Sequence, residues 1–350
     1  MNPSGFLIGP LLKEVSRSFY LTLRILPGPL RAPVSLAYLL ARATDTIADT
    51  RVIGRTERRH HLQALRRMIL EGADPRALGE IRQSLGEHQQ NPSERILLER
   101  LDESLEFLGR QSEFDRAEIR RVLEVIVAGQ DLDLERFGES ADELRALPVS
   151  EDLEDYTYRV AGCVGEFWTR MCAGHLSGVR HWGRAEMIGR GIRFGKGLQL
   201  VNILRDMPRD LRNGRCYLPA TELQETGVTP EALLDARNFD RVRPVYARWL
   251  ARAREHLDHA WDYTCAYPRS LWRMRLACAW PVLIGHRTLD LLGEPGANPL
   301  DPARTVKVTR AQVRRIVFDT GVRVFCDKAF GNLHRAGRKK QGEVGACGGT

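Results

Sequence analysis

Between Tyr38 and Asp49 the polar side chains Tyr38, Arg42, Asp45 and Asp49 fall at offsets 0, 4, 7 and 11, among Leu36, Ala37, Leu39, Leu40, Ala41, Ile47 and Ala48. At about 100° per residue these offsets gather all four on one narrow stripe of an α-helix. Two aspartates four residues apart repel by about a few tenths of a kcal/mol on an isolated helix, and Asp is a poor helix former. The apolar neighbours predict a largely buried helix, so the two carboxylates require compensating cations. Arg42 is one, and a bound metal ion supplies more.

A second segment repeats the device. Gln199, Asn202, Asp206 and Asp210 share a face at offsets 0, 3, 7 and 11, with Leu200, Val201, Ile203 and Leu204 as the apolar remainder. Oxygen-only ligands on two helices suit a hard cation, Mg²⁺ in particular, with Mn²⁺ as a substitute. Mg²⁺ usually joins a few carboxylates to substrate phosphates, and Arg42, Arg205, Arg209 and Arg215 suit a diphosphate. One Asp-x-x-x-Asp is ordinarily a solvated helix face. Two copies, each extended by two more polar residues on the same stripe, favour metal and diphosphate. Pro208 interrupts the second stripe: it predicts either a kink that carries Asp210 away or a place in the last regular turn.

The rest of the chain is also helical in period. Leu62, Leu65 and Ile69 keep a 3–4 spacing, as do Ile96, Leu97, Leu101, Leu105 and Leu108, and Ile119, Val122, Leu123, Ile126 and Val127. No run of alternating strands is visible, so an all-α fold is expected. Turns fall at 26–30, 72–75, 91–93 and 147–150, and an exposed loop is expected at 293–302. No fixed repeat marks a solenoid. A single domain over 1–332 is expected, followed by a disordered basic tail at 333–350 that is rich in Gly, Lys and Arg.

With 350 residues, 43% hydrophobic and 28% charged, the chain is neither disordered, collagenous nor a disulfide-knotted mini-protein. Its seven cysteines are odd in number and lack a C-x-x-C pair, which fits free thiols in a reducing cytoplasm. No leader is apparent. The longest apolar stretches, Ala32–Ala41 and Leu276–Gly285, are about ten residues, against the roughly 20 a bilayer span needs. The net charge of +8 is spread along the chain, without the concentrated basic helix or interleaved aromatics of a nucleic-acid binder. No P-loop is present, and no strand precedes the glycines at 189–197. His60 and His61 read as surface residues of an Arg-rich helix.

The two stripes, with Ser16-Arg17-Ser18-Phe19, Tyr156-Thr-Tyr-Arg-Val-Ala-Gly162-Cys-Val-Gly165 and Gly214-Arg215-Cys-Tyr-Leu-Pro219, make five motifs in order. Over roughly 15–317 the chain resembles the squalene/phytoene synthases, head-to-head prenyl transferases of the all-α isoprenoid synthase fold. The resemblance implies a helical bundle around a central cavity, with the aspartate stripes facing each other across it. It implies Asp45, Asp49, Asp206 and Asp210 as metal ligands, with Asn202 and Gln199 beside them. It implies Arg17, Ser18, Tyr38, Arg42, Arg205 and Arg215 as diphosphate contacts, and Tyr156 in proton handling or cation stabilisation. Gly162 and Gly165 either make room for an isoprenoid tail or let helices pack closely. Lys307 and Arg310 either contact NADPH phosphates or form a surface cluster at a helix start. The expected reaction joins two farnesyl diphosphates through presqualene diphosphate and reduces the product with NADPH to squalene. The alternatives are a non-reducing dehydrosqualene or phytoene synthase, or an enzyme that stops at presqualene diphosphate. The lipid substrate and product imply a cytoplasmic monomer in peripheral contact with the membrane through the basic tail, and no nucleic-acid partner.

Overall fold

The computed structural model describes residues 3–16, 19–86, 89–180, 182, 184–303 and 306–334. Among these the only β pairing is a two-residue parallel bridge, Arg145–Ala146 (β1) beside Arg215–Cys216 (β2). The chain gathers into two compact units, Met1–Arg136 with Glu166–His175, and Phe137–Gly165 with Leu176–Thr350. No helix among the described residues is long and apolar enough to cross a membrane.

In the first unit the central element is α1 (Gly28–Asp49), which starts after extended Pro27 and carries Pro29 in its first turn. Around it pack α2 (Arg55–Glu71), α3 (Pro92–Glu99), α4 (Leu101–Gly109) and α5 (Glu113–Arg136). Asn91 caps α3 by accepting from the amides of Ser93 and Glu94 at 3.0 and 3.4 Å. Leu36, Leu39, Leu40, Ala43 and Ile47 of α1 are fully buried, and Leu62 and Leu65 of α2 meet the same core. His61, expected at the surface, is instead buried, because it lies four residues before Leu65 on the apolar face of α2. Burial holds its pKa below the usual histidine value, so the ring stays neutral. His60 remains exposed, as expected.

The second unit is built on α8 (Arg184–Arg212), which lies against α9 (Phe239–Ala266) and α10 (Trp272–Leu292). The segment α6 (Ser150–Thr157), a π turn at Tyr158–Gly162 and α7 (Cys163–His175) form one helical run, whose residues from Glu166 onward belong to the first unit. The π turn packs on α8 at backbone distance. A Cβ on Gly165 would lie 1.8 Å from the carbonyl oxygen of Gly191, and one on Gly195 would lie 2.0 Å from that of Ala161. Of the two readings of Gly162 and Gly165, close helix packing is therefore the one the structure realises at Gly165, while a Cβ on Gly162 would meet the side chains of Tyr158, Ile192 and Lys196 at 3.1, 3.3 and 3.4 Å. Two further helices, α11 (Arg310–Arg323) and α12 (Asp327–Gly331), follow the exposed loop. Beyond α12, His334 pairs with Asp258 at 2.8 Å and its side chain is 13% exposed. Residues 335–350 of the expected tail lie outside the described residues.

Candidate active site

From Pro33 to Thr50 every residue is buried except Tyr38, Ala41, Arg42, Asp45 and Asp49. The stripe is thus the one open line along an otherwise enclosed helix. The carboxylates do not sink with the helix, as its apolar neighbours suggested: the Asp45 side chain is 44% exposed. Arg42 spans two acids, with Nη1 at 2.7 Å from Asp45 and Nη2 at 2.5 Å from Glu94. Burial opposes the charge on Arg42, but the carboxylates of Asp45 and Glu94 outweigh it and hold the guanidinium firmly protonated. Tyr38 stacks on Phe19, with ring centres 5.5 Å apart, and donates to the carbonyl of Val15 at 3.3 Å. Arg17 and Ser18 lie outside the described residues.

The end of α1 is pinned. Thr46 donates to the Arg42 carbonyl at 2.9 Å and Thr50 to that of Thr46 at 2.6 Å. Arg58, 2% exposed, donates to the carbonyl of Ala48 at 2.9 Å, placing a cation at the negative end of the helix that carries Asp45 and Asp49.

On α8 the accessible residues from Gln199 to Asp210 include Gln199, Asn202, Arg205, Asp206, Arg209 and Asp210, while Leu200, Val201, Ile203, Leu204 and Met207 are buried. Arg205 grips Asp206 with two bonds, Nε at 2.7 Å and Nη2 at 2.6 Å. That double hydrogen bond to Asp206 raises the arginine's pKa further. Both stripes therefore follow one design, in which an arginine rests on a carboxylate of its own helix.

Pro208 does not end the helix, which runs on to Arg212 and keeps Asp210 on the stripe. The reason is a repair. Proline has no N–H to give the carbonyl four residues back, that of Leu204. The buried hydroxyl of Tyr246 on α9 donates to that carbonyl at 3.3 Å. Burial pushes the Tyr246 pKa up, so the hydroxyl keeps its proton. Tyr246→Phe removes the donor and leaves a buried carbonyl unsatisfied. A stability loss of about 1–3 kcal/mol is expected, read as an earlier midpoint in urea unfolding.

Past the end of α8, Gly214 turns the chain at φ +79°, and β2 begins with Arg215, in register with Arg145. Two residues on, Tyr217 meets Tyr156 of α6: the rings stack at 4.8 Å and the hydroxyls are 3.0 Å apart. Phe137 closes edge-on against Tyr217 at 5.0 Å. Glu154 accepts from Lys196 at 2.5 Å and from Arg252 at 3.0 Å, fastening α6 to α8 and α9. Lys196 and Arg252 outweigh the burial of Glu154 and keep its carboxyl below the usual range.

Sequence reasoning missed Glu94, Tyr217, Glu154 and Tyr246. The capping signature Asn91-Pro92-Ser93-Glu94 and the aromatic in the Gly214–Pro219 motif were the available signals for the first two. Lys307 and Arg310 are exposed beside Thr309, which caps α11 by accepting from the Gln312 amide at 3.2 Å while the Gln312 side chain accepts from the Thr309 amide at 2.9 Å. Arg310 opens α11 and Lys307 lies three residues before it.

Comparison with known proteins agrees with this geometry. The squalene/phytoene synthase family profile matches residues 12–312. The chain is 32% identical over 255 residues to a bifunctional lycopene cyclase/phytoene synthase of Colletotrichum graminicola, covering 72% of this chain and 40% of that protein. It is 30% identical over 208 residues to the chloroplastic phytoene synthase 1 of Arabidopsis thaliana, covering 56% of this chain and 46% of that one. The chain thus spans less than half the length of these curated relatives. A structure of TcSQS in complex with a ligand superposes with a TM-score of 0.73 at 22% identity, over 91% of this chain and 86% of the other. A ligand-bound dehydrosqualene synthase gives 0.65 at 19% identity, over 91% and 95% of the two chains. Profile and fold agree over nearly the whole described chain: it belongs to the squalene/phytoene synthase family.

Proposed function

We propose that this chain carries out the Mg²⁺-dependent head-to-head condensation of two prenyl diphosphates without a reductive step, in the manner of a phytoene or dehydrosqualene synthase. The observation that carries it is the doubled stripe, with oxygen donors and an arginine held ready on each of two accessible helix faces. The curated relatives bear the name phytoene synthase. They favour this over NADPH-dependent squalene synthesis, the second reading, in which Lys307 and Arg310 contact the cofactor.

The donor set fits the metal. Asp45 and Asp49 on α1, and Asp206, Asp210, Asn202 and Gln199 on α8, all offer oxygen. When bound, Mg²⁺ supplies charge neutralisation for the departing diphosphate. Arg42, Arg205 and Arg215 take phosphate oxygens, and Glu94 keeps the Arg42 guanidinium oriented as it does so. Loss of diphosphate from one substrate leaves an allylic cation. The second substrate's double bond attacks it, and proton loss closes a cyclopropane that still carries the second diphosphate. Loss of that diphosphate, rearrangement of the resulting cation and loss of a second proton give the hydrocarbon without a reductant. The hydrogen-bonded phenols of Tyr156 and Tyr217 present their oxygens to this chemistry, with Tyr217 fixing which way the Tyr156 hydroxyl points. The test is incubation with farnesyl or geranylgeranyl diphosphate and Mg²⁺, with and without NADPH. One hydrocarbon, unchanged by NADPH, is expected. Squalene formed only with NADPH would establish the second reading, and absence of any condensation product would overturn both.

We also propose a peripheral membrane contact through α11, since residues 335–350 of the basic tail expected to make it lie outside the described residues. Its stripe Phe318, Val322 and the following Phe325 is 70, 67 and 58% exposed, and the segment 310–325 carries four arginines against one aspartate. Beside it, Arg273 lies 5.3 Å over the Trp272 ring, which is 6.0 Å from that of Phe325. Apolar rings framed by guanidinium groups match an anionic bilayer surface. Phe318→Glu with Val322→Glu should reduce sedimentation with phosphatidylglycerol vesicles at least about tenfold. Unchanged sedimentation would remove α11 from the interface.

A further inference from the structure

Three side chains from separate elements, none of them on a stripe, converge in the second unit. Asp258 lies on α9, His286 on α10, and His334 just beyond α12. His334 Nε2 is 2.8 Å from Asp258 Oδ1, and His286 Nε2 is 3.7 Å from the same oxygen. One ligand atom from each of the three lies within 4.8 Å of the other two. The imidazole rings are 4.3 Å apart at 38°, and their side chains are 9 and 13% exposed. We propose that Asp258, His286 and His334 form a site for a borderline divalent metal ion of the Zn²⁺ class.

Two imidazole nitrogens and one carboxylate oxygen within 4.8 Å of one another form a donor set that one divalent cation can take up together. A divalent cation serves all three groups at once, taking a lone pair from each neutral ring and the charge of the carboxylate. With metal–ligand bonds of about 2.0–2.1 Å, a tetrahedral ion sets its ligand atoms about 3.3 Å apart. The observed 2.8 and 3.7 Å bracket that edge on the two sides that meet at Asp258, and all three ligand atoms lie within 4.8 Å of one another. Two nitrogens and one oxygen select Zn²⁺, Co²⁺ or Ni²⁺ over Mg²⁺, which separates this site from the oxygen-only stripes. Three protein ligands leave room for a water molecule. The surroundings are already built: Trp261 stacks on Phe330 at 5.2 Å, donates to the Gly331 carbonyl at 3.2 Å, and sits 6.0 Å from His334. The ion would clamp the segment after α12 onto α9 and α10.

The test uses full-length protein stripped with a chelator and kept in excess Mg²⁺, so that the oxygen-only sites are occupied. Co²⁺ is titrated in and followed by calorimetry and visible absorption. One equivalent is expected, with the visible band of a four- or five-coordinate nitrogen–oxygen site, no thiolate charge-transfer band, and displacement by Zn²⁺. Zn²⁺ should raise the melting temperature. His334→Ala and Asp258→Asn should each weaken Co²⁺ binding by more than about 100-fold, beyond the loss seen when a mere supporting partner is removed. His334 follows α12 and lies outside α9 and α10, so that variant leaves both of those helices unaltered even if Asp258→Asn does not. No band in the wild type, a band unchanged by His334→Ala, or a thiolate band placing the ion on Cys326 or Cys347 would each overturn the site.

Discussion

Asp45→Asn and Asp206→Asn are each expected to cut turnover of prenyl diphosphates by about a hundredfold to a thousandfold, the range found when one preorganised electrostatic group is removed from a transition state. The substitutions keep side-chain shape and lose charge. Asp45 is 44% exposed and Asp206 37% exposed, and each faces an arginine on its own helix. Solvent screening limits such pairs to about 1 kcal/mol or less, so melting temperatures should hardly move. Activity lost with stability kept is the signature of ligands rather than of struts. Full activity in both variants would end the metal reading. Glu94→Gln offers a graded comparison. Glu94 holds Arg42 at 2.5 Å and also accepts from Asn91 Nδ2 at 3.2 Å, so it is a positioning residue. Its loss should raise KM more than it lowers kcat, and Glu94→Asp should restore part of the difference.

Much of this design is legible in the sequence, for a physical reason. A helix that is enclosed on every side but one must write its open side as a polar stripe, and Tyr38, Arg42, Asp45 and Asp49 are that stripe. Periodicity tells which residues share a face, but not whether another helix covers it. The carboxylates therefore proved accessible where the apolar neighbours had suggested burial. The missed residues come from long range. Tyr246, 42 positions from Leu204, is matched to an orphan carbonyl that only the folded chain creates. Tyr217 reaches Tyr156 across 61 positions, through a turn and a two-residue bridge rather than a periodic element. His334 sits at the start of a Gly- and Lys-rich stretch, and that composition concealed a residue whose partner lies 76 positions earlier, at Asp258.

The largest stability effect is expected at the crossing of α8 with the π turn. In Gly165→Ala the new Cβ would stand 1.8 Å from the Gly191 oxygen, and in Gly195→Ala 2.0 Å from that of Ala161. Carbon–oxygen contacts settle at about 3.3 Å or more. Both obstacles are backbone atoms, so no rotamer change relieves them and the helices must separate by more than about 1 Å. Overpacking of this kind costs about 3 kcal/mol, the upper end of its usual range, or more. Gly189→Ala is the internal control: nothing lies within 4 Å of its Cβ, and alanine's better helix propensity should stabilise α8 by up to about 1 kcal/mol. Denaturant midpoints should therefore move in opposite directions on the same helix. Activity should fall with Gly195→Ala, because Lys196 beside it holds Glu154 two residues from Tyr156, and a shifted α6 carries Tyr156 away from its place. The competing idea, that Gly162 and Gly165 leave space for a prenyl tail, makes the contrary forecast: an unchanged midpoint and a shorter preferred substrate in Gly165→Ala. A midpoint that drops for Gly165 and Gly195 but rises for Gly189 would assign the missing side chains to helix packing, with the fit between α6 and α8 serving to hold Tyr156 in position.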